Sequence, residues 1–227
     1  MISAVSEDSF LITLSDTVSE DLPARLGSLC DCIEGQNWPW LTDLVPSYTT
    51  LLVVYDPLQV DFRQVEAALK TVVSKAPTAG NETTDSHRRE VIRIPVYYSP
   101  ESGPDLESLA AACELSVDEV IRRHTAETYQ VYAIGFAPGF GFMGQVDPSI
   151  AHPRKETPRS HVPAGSVGIA NRQTAVYPVA SPGGWQLIGL SPLRLFDSEK
   201  LSLLRAGDRV RFLAITRDEY LEQGGAL

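Results

Sequence analysis

Between residues 135 and 190 the chain gathers side chains suited to handling a small anion. The stretch HPRKETPRSH (152–161) places His152, Arg154, Lys155, Arg159 and His161 within ten residues. Arginine offers planar, two-pronged contact to carboxylate or phosphate, and histidine exchanges protons near neutral pH. Pro153 and Pro158 stiffen the segment that carries them. From 135 to 192 the acids are Asp147 and Glu156 and the bases Arg154, Lys155, Arg159 and Arg172, inside a chain of formal net charge −10. A focused positive site in an acidic molecule draws a small anionic substrate without recruiting polyanions. The bland alternative is a solvated basic loop, and composition leaves both open.

Three further motifs flank this arm. VPAGSVGI (162–169) follows it directly and contains Pro163, Gly165, Ser166 and Gly168. It lacks the G-x-S-x-G pattern of a nucleophile elbow, so a tight turn exposing backbone N–H groups fits better than a Ser166 nucleophile; such groups could receive developing negative charge. GFAPGFGFMG (135–144) interleaves four glycines with Phe136, Phe140 and Phe142. It reads equally as an aromatic wall of a cleft and as a turn filling a barrel end. It is not a phosphate loop, because the lysine and hydroxyl of that motif are missing. SPGGWQLIG (181–189) supplies Gly183, Gly184 and Trp185, the last able to stack on a ligand or to cap the core. His124 ends a helical stretch, where a helix C-terminal cap is the simpler role. His87, in a polar linker, is set aside, and no His, Cys, Asp or Glu group has metal-ligand spacing.

Elements must hold these motifs in place. DSFLITL (8–14) reads as a strand and SEDLPARLGSLCDCI (19–33) as a helix with apolar residues at helical spacing. Residues 40–45 and 49–55 read as strands joined at Pro46-Ser47, and DFRQVEAALKTVVS (61–74) as a second amphipathic helix. Residues 76–90 form a polar linker, and VIRIPVYY (91–98) is the next strand. That order, β-α-β-β-α-β, suggests a ferredoxin-like domain over 1–88. Two short helices follow within 104–125, the second opened by Ser116 and Glu119 at capping-box spacing. Strands are expected at 128–136, 166–170, 174–179, 185–190 and 208–215. Residues 135–192 carry 9 of the 16 glycines and 8 of the 16 prolines. Dense turn residues between short strands suit a β-barrel with shaped loops over 89–227. The whole is therefore expected to be α+β.

Composition excludes several classes. The acidic balance argues against nucleic-acid binding. Cys30, Cys32 and Cys113 form no disulfide framework and read as small apolar side chains in a reducing compartment. The start MISAVSEDSFLITL lacks the basic flank of a signal peptide, and no run reaches the roughly 20 apolar residues of a membrane span. A cytoplasmic protein is expected.

GFAPGF (135–140), Pro158-Arg159, VPAGSVGI, Gln173-Thr174, Tyr177-Pro178 and PGGWQLIG (182–189), in this order, resemble a family of known proteins. It comprises the B subunit of the prokaryotic ATP-dependent 5-oxoprolinase, the sporulation kinase A inhibitor and the allophanate hydrolase subunit 1 domain of urea carboxylase. The resemblance implies an N-terminal α/β domain and a C-terminal cyclophilin-like barrel. It implies a homologous C subunit, a separate A subunit, and ATP with Mg2+ as co-substrate in converting 5-oxoproline to glutamate. It leaves two other roles: inhibitor of a sensor histidine kinase, or a carboxyltransferase or allophanate hydrolase-type subunit for a urea-like amide. On this reading Arg154 and Arg159 hold a carboxylate or phosphate, and His152, or less readily His124, carries a proton. Gly165, Ser166 and Gly168 present N–H groups. Phe140, Phe142 and Trp185 wall the cleft, with Pro163, Gln173, Gly183 and Gly184 beside them. Gly141-Phe142-Met143 departs from the family's usual Pro-Tyr-Leu, which removes a hydroxyl at Phe142 and keeps the apolar wall.

Overall fold

A computed structural model describes residues 1–19, 21–75, 90–199 and 201–227. The expected linker over 76–90, with His87, lies almost wholly outside the described residues. The chain divides into two compact units, Met1–Arg88 and Arg89–Leu227.

The first unit contains β1 (Ile2–Ser6), β2 (Ser9–Thr13), α1 (Leu22–Glu34), β3 (Leu41–Ser47), β4 (Thr50–Tyr55) and α2 (Phe62–Lys75). Its sheet runs β1-β2-β4-β3, every neighbouring pair antiparallel. Phe10 and Ile12 of β2 and Leu51, Val53 and Tyr55 of β4 point one way, as period-two alternation demands. They meet Leu26, Leu29 and Ile33 of α1 and Val65, Leu69 and Val72 of α2 in one buried cluster. The core therefore lies between the sheet and its two helices. One expectation changes here. The edge position that a strand after α2 would fill belongs to β1, which precedes β2. ISAVS gives little strand signal because its residues are half-buried or exposed and carry no strong apolar alternation.

Residues 91–98 open the second unit, as β5 (Ile92–Tyr97). There follow α3 (Leu106–Ala112), α4 (Val117–Ala126), β6 (Tyr129–Ile134), β7 (Gly141–Gly144), β8 (Arg159–Val162), β9 (Ser166–Ala170) and β10 (Gln173–Val176). The chain continues through β11 (Ser181–Gly183), β12 (Gln186–Leu190), β13 (Phe196–Asp197), β14 (Leu201–Ser202), β15 (Arg209–Ile215) and α5 (Arg217–Glu222). Seven strands run in the order β6-β15-β5-β12-β9-β10-β7, and pairing of β6 with β7 closes the barrel. Closure leaves no open edge among these strands. Six of the seven contacts are antiparallel; β15 runs parallel to β5, from Val210 opposite Ile92 to Ile215 opposite Tyr97. Ile94, Val96, Val131, Met143, Val167, Ile169, Ile188, Val210 and Phe212 fill the interior, and Leu106, Leu109 and Val120 of the helices pack against it. Beside the barrel, β8 pairs with β11 and β13 with β14.

Caps explain the helices. Ser116 accepts the Glu119 N–H at 3.2 Å, as its spacing predicts. Thr216 and Glu219 form a complete capping box for α5, a T-x-x-E signal beyond the elements expected from the sequence. The strand β7 also lies outside those expectations, because two of its four residues are glycine.

The segment before α3 is pinned to the barrel wall. Its Gly103 lies so close to β12 that an added Cβ would collide with the backbone of Ile188 and Gly189. The backbone neighbours cannot rotate away as a side chain can. Gly103→Ala should lower stability by at least about 2–3 kcal/mol, read as a lower urea midpoint at unchanged slope. An unaltered midpoint would contradict this packing.

Candidate functional site

The basic arm does not float in solvent. After the short 3-10 turn at Pro148–Ile150, His152 forms an isolated bridge with Asn171, whose N–H donates to the His152 carbonyl at 2.6 Å. The Gln186 amide of β12 donates to the Pro153 carbonyl at 2.9 Å. The Lys155 N–H donates to the Gly184 carbonyl at 2.7 Å. Arg159 then enters β8 opposite Gly183 of β11. Residues 152–159 are thus laced to residues 183–187, bringing both halves of the expected site together.

The knot of this lacing is Asp105, a buried carboxylate that in the sequence looks only like the start of a helix. Its Oδ1 accepts from Lys155 Nζ at 2.8 Å and from Arg159 Nη2 at 2.6 Å. Its Oδ2 accepts from the Leu187 N–H at 2.8 Å, and its own N–H donates to the Leu187 carbonyl. Burial alone would raise its pKa. The hydrogen bonds from Arg159, Lys155 and Leu187 outweigh that and hold the carboxyl below the usual carboxylate range. Arg159 Nη1 is also buried, with no hydrogen-bond partner among the described residues. Arg159 is therefore held on Asp105 through Nη2, with a quarter of its side chain exposed.

Arg154 differs. It is exposed, and its guanidinium carbon lies 5.6 Å from the centre of the Trp185 ring. Cation–π contact of this kind contributes about 0.5–1 kcal/mol at an exposed site. Trp185 itself is buried and caps an aromatic cluster, with the Arg154 guanidinium over its ring. Phe140 lies at the cluster's centre, edge-on to Phe136, Phe142, Tyr177 and Trp185 at 4.8–5.6 Å. Each such pair adds about 0.5–1.5 kcal/mol beyond burial. Phe140 thus supports the wall from behind, and the surface is left to half-buried Phe142 and exposed Phe136. Phe136 keeps its place with a positive φ of 66°, in the turn between Gly135 and Gly139.

Tyr177 takes a part that its sequence context does not signal. Burial pushes its pKa up, while its hydroxyl hydrogen-bonds the Trp185 backbone and feels the charges of both Arg154 and Arg159. Gly183 must be glycine here, because a Cβ would strike that hydroxyl. Gly184 packs loosely on Pro158.

His152 has chemistry available to it. Its Nδ1 lies 3.3 Å from Gln186 Nε2 and 3.1 Å from the Pro153 carbonyl. Neutral, it can accept from the amide; protonated, it can donate to the carbonyl. Either state keeps the ring oriented through Nδ1.

The turn 163–168 departs from expectation. The Gly165 N–H already donates to the Tyr177 carbonyl at 2.7 Å, and the Ser166 N–H to Pro163. Gly168 lies inside the ladder between β10 and β12. These groups close a turn and build the sheet instead of pointing at a ligand. Gly165 holds φ 83° with its Cα against the Ser191 carbonyl, which explains the residue type. Pro163 is exposed and Gln173 begins β10.

His124 stands apart from this group. It is fully buried at the end of α4, with Nδ1 2.8 Å from the Tyr98 hydroxyl and Nε2 2.8 Å from Thr174 Oγ1. Its ring packs 4.6 Å from that of Phe212. Burial lowers its pKa to about 3, so it stays neutral at pH 7 with both nitrogens engaged. Among the described residues, no group of three or more His, Cys, Asp or Glu could hold a metal ion, and no helix is long and apolar enough to cross a membrane.

The likeness of this chain to known proteins is specific. The carboxyltransferase domain family, subdomains C and D, matches residues 1–204. The 5-oxoprolinase B subunit of Bacillus subtilis (strain 168) is 39% identical over 226 residues, spanning 96% of this chain and 94% of that one. The 5-oxoprolinase B subunit of Escherichia coli O157:H7 is 50% identical over 124 residues, 54% of this chain and 57% of that one. The crystal structure of TTHA0988 superposes with a TM-score of 0.80 at 36% identity over 95% of this chain. This chain spans 41% of that solved one.

His124 yields a test in pH. Its folded pKa, about 3, lies below the ordinary value of 6.5. Between those values the unfolded chain binds a proton that the folded chain refuses, so stability falls as pH drops through this window. The slope from this group approaches about 1.4 kcal/mol per pH unit. In His124→Gln, urea midpoints measured from pH 7 to pH 4 should decline less steeply than in the parent. Equal slopes would show that His124 is not held neutral.

Proposed function

This chain belongs to the family of the carboxyltransferase domain, subdomains C and D, and from that premise we propose that it is the B subunit of an ATP-dependent 5-oxoprolinase. The observation that carries the reading is the 39% identity to a 5-oxoprolinase B subunit over 96% of the chain. The chain would act with two other subunits, a homologous C and a separate A, to convert 5-oxo-L-proline to L-glutamate, with ATP as co-substrate. It would form part of a shared cleft and be inactive alone, in the cytoplasm.

The chemistry asks for what the arm presents. The lactam of 5-oxoproline is an unactivated amide. Transfer of the ATP γ-phosphoryl group to its carbonyl oxygen, releasing ADP, makes the ring carbon open to attack by water; the C–N bond then breaks with the nitrogen taking a proton, and a second water releases phosphate from the acyl phosphate to leave glutamate. Such transfers rest on positioning and charge neutralisation. In this reading Arg154, exposed on the Trp185 face, meets the substrate carboxylate or a phosphate. His152, oriented through Nδ1, exchanges a proton at Nε2. Phe142 and Trp185 exclude water from one side of the ring.

The carboxyltransferase match also leaves a second reading, a carboxyltransferase-type subunit for a urea-like amide, and one assay separates the two. ATP hydrolysis by this chain with its C subunit should rise severalfold on adding 5-oxoproline and not urea, and glutamate should form once the A subunit is present. Either protein by itself should give neither. Arg154→Ala should cut the 5-oxoproline-dependent rate at limiting substrate by about tenfold to a hundredfold, the range for losing one charged contact. No stimulation in a verified complex would overturn the 5-oxoproline reading, and stimulation by urea would favour the other.

A further inference from the structure

We propose that Asp105 is a positioning residue for the substrate anion, acting through the basic arm rather than by contact. This role rests on the reading of Arg154 as the anion contact. Three cations lie within residues 154–159, yet they are not equivalent. Lys155 and Arg159 turn inward and share Oδ1 of Asp105, while Arg154, between Pro153 and Lys155, turns outward onto Trp185. Asp105 is 4% exposed, against 33% for Lys155 and 25% for Arg159.

A carboxylate so deeply buried cannot drift with the arm. It is fixed from behind, because Asp105 and Leu187 exchange backbone and side-chain hydrogen bonds and Gly103 seats the same segment on Ile188. The barrel wall therefore holds Asp105, Asp105 holds the residues on either side of Glu156-Pro158, and the arm's remaining freedom is small. Pro153, tied through its carbonyl to Gln186, fixes the other end. Arg154 is the cation left between two anchors, over the ring of Trp185, the residue that precedes β12. The knot thus decides which of three cations a ligand meets and where it stands.

The test reads geometry apart from catalysis. In a Trp38→Phe/Trp40→Phe background, Trp185 is the only tryptophan, since the chain has three. Iodide and acrylamide quenching then report, respectively, on an anion drawn to Arg154 and on simple access. Asp105→Asn removes a negative charge, which by itself would raise the iodide-to-acrylamide ratio of quenching constants; the ratio should instead fall by at least about twofold, as the cation leaves the ring. Asp105→Glu, which keeps the charge, should recover part of it. In the assembled complex, Asp105→Asn should raise KM for 5-oxoproline about tenfold with kcat changed less than about threefold, the pattern of lost uniform binding. A ratio unchanged or raised in folded Asp105→Asn would overturn the proposal. So would an equal fall in kcat with KM constant. If that variant does not fold, Arg159→Lys, which keeps the charge and loses the guanidinium fork, serves: the ratio should fall by a smaller factor, and no fall overturns the proposal. A parent complex inactive toward 5-oxoproline would refute the functional reading alone, since the quenching ratio still decides the role of Asp105.

Discussion

A carboxylate cannot be buried without partners, and the arrangement around Asp105 follows from that constraint. Leaving one charged group unpaired inside a protein costs several kcal/mol. Here the charge is met by two cations and a backbone N–H from segments far apart in sequence. Satisfying it obliges the basic arm to lie along β11 and β12 and obliges the segment before α3 to sit on the barrel. The acidic surplus of the chain does not dilute this, because the interaction is local and shielded from water.

A second layer depends on the first. Once the arm is placed, Arg154 covers Trp185, and Trp185 closes the cluster around Phe140. The same cluster holds Tyr177, whose main chain ties the Gly165 turn to β9. Polar knot and aromatic cluster therefore share residues 183–187, and a disturbance of either reaches the other through the backbone there. His124 shows the opposite arrangement: a titratable group absorbed completely into a core, satisfied by Tyr98 and Thr174 and insulated by Phe212.

Much of this is legible in the sequence, for reasons that differ by element. Helices α2 and α4 announce themselves through apolar spacing and, in α4, a Ser116 cap. The barrel follows from short strands set among glycine and proline. The arm is visible as a local concentration of charge. Asp105 is not, because its partners lie 50, 54 and 82 residues away and nothing local distinguishes it from any acid at a helix start. For the same reason Arg159 looks like a free cation and the Gly165 turn like an open nest of donors. Pairing across distance consumes groups that local pattern leaves unassigned. The edge strand β1 is hidden differently: a half-exposed strand needs little hydrophobicity, so it leaves little trace.

The parallel neighbours β5 and β15 carry a consequence for biogenesis. Residues 92–97 pair with residues 210–215, so this barrel wall cannot form until nearly all of the second unit has left the ribosome. During that interval β5 offers its main-chain hydrogen bonds, and Ile94 and Val96, to whatever strand comes first. Long-range pairing of this sort is slow because loop closure precedes any gain. The second unit thus completes its wall late, whereas the first unit, whose described strands and helices all lie within residues 2–75, can complete its own sheet while synthesis continues.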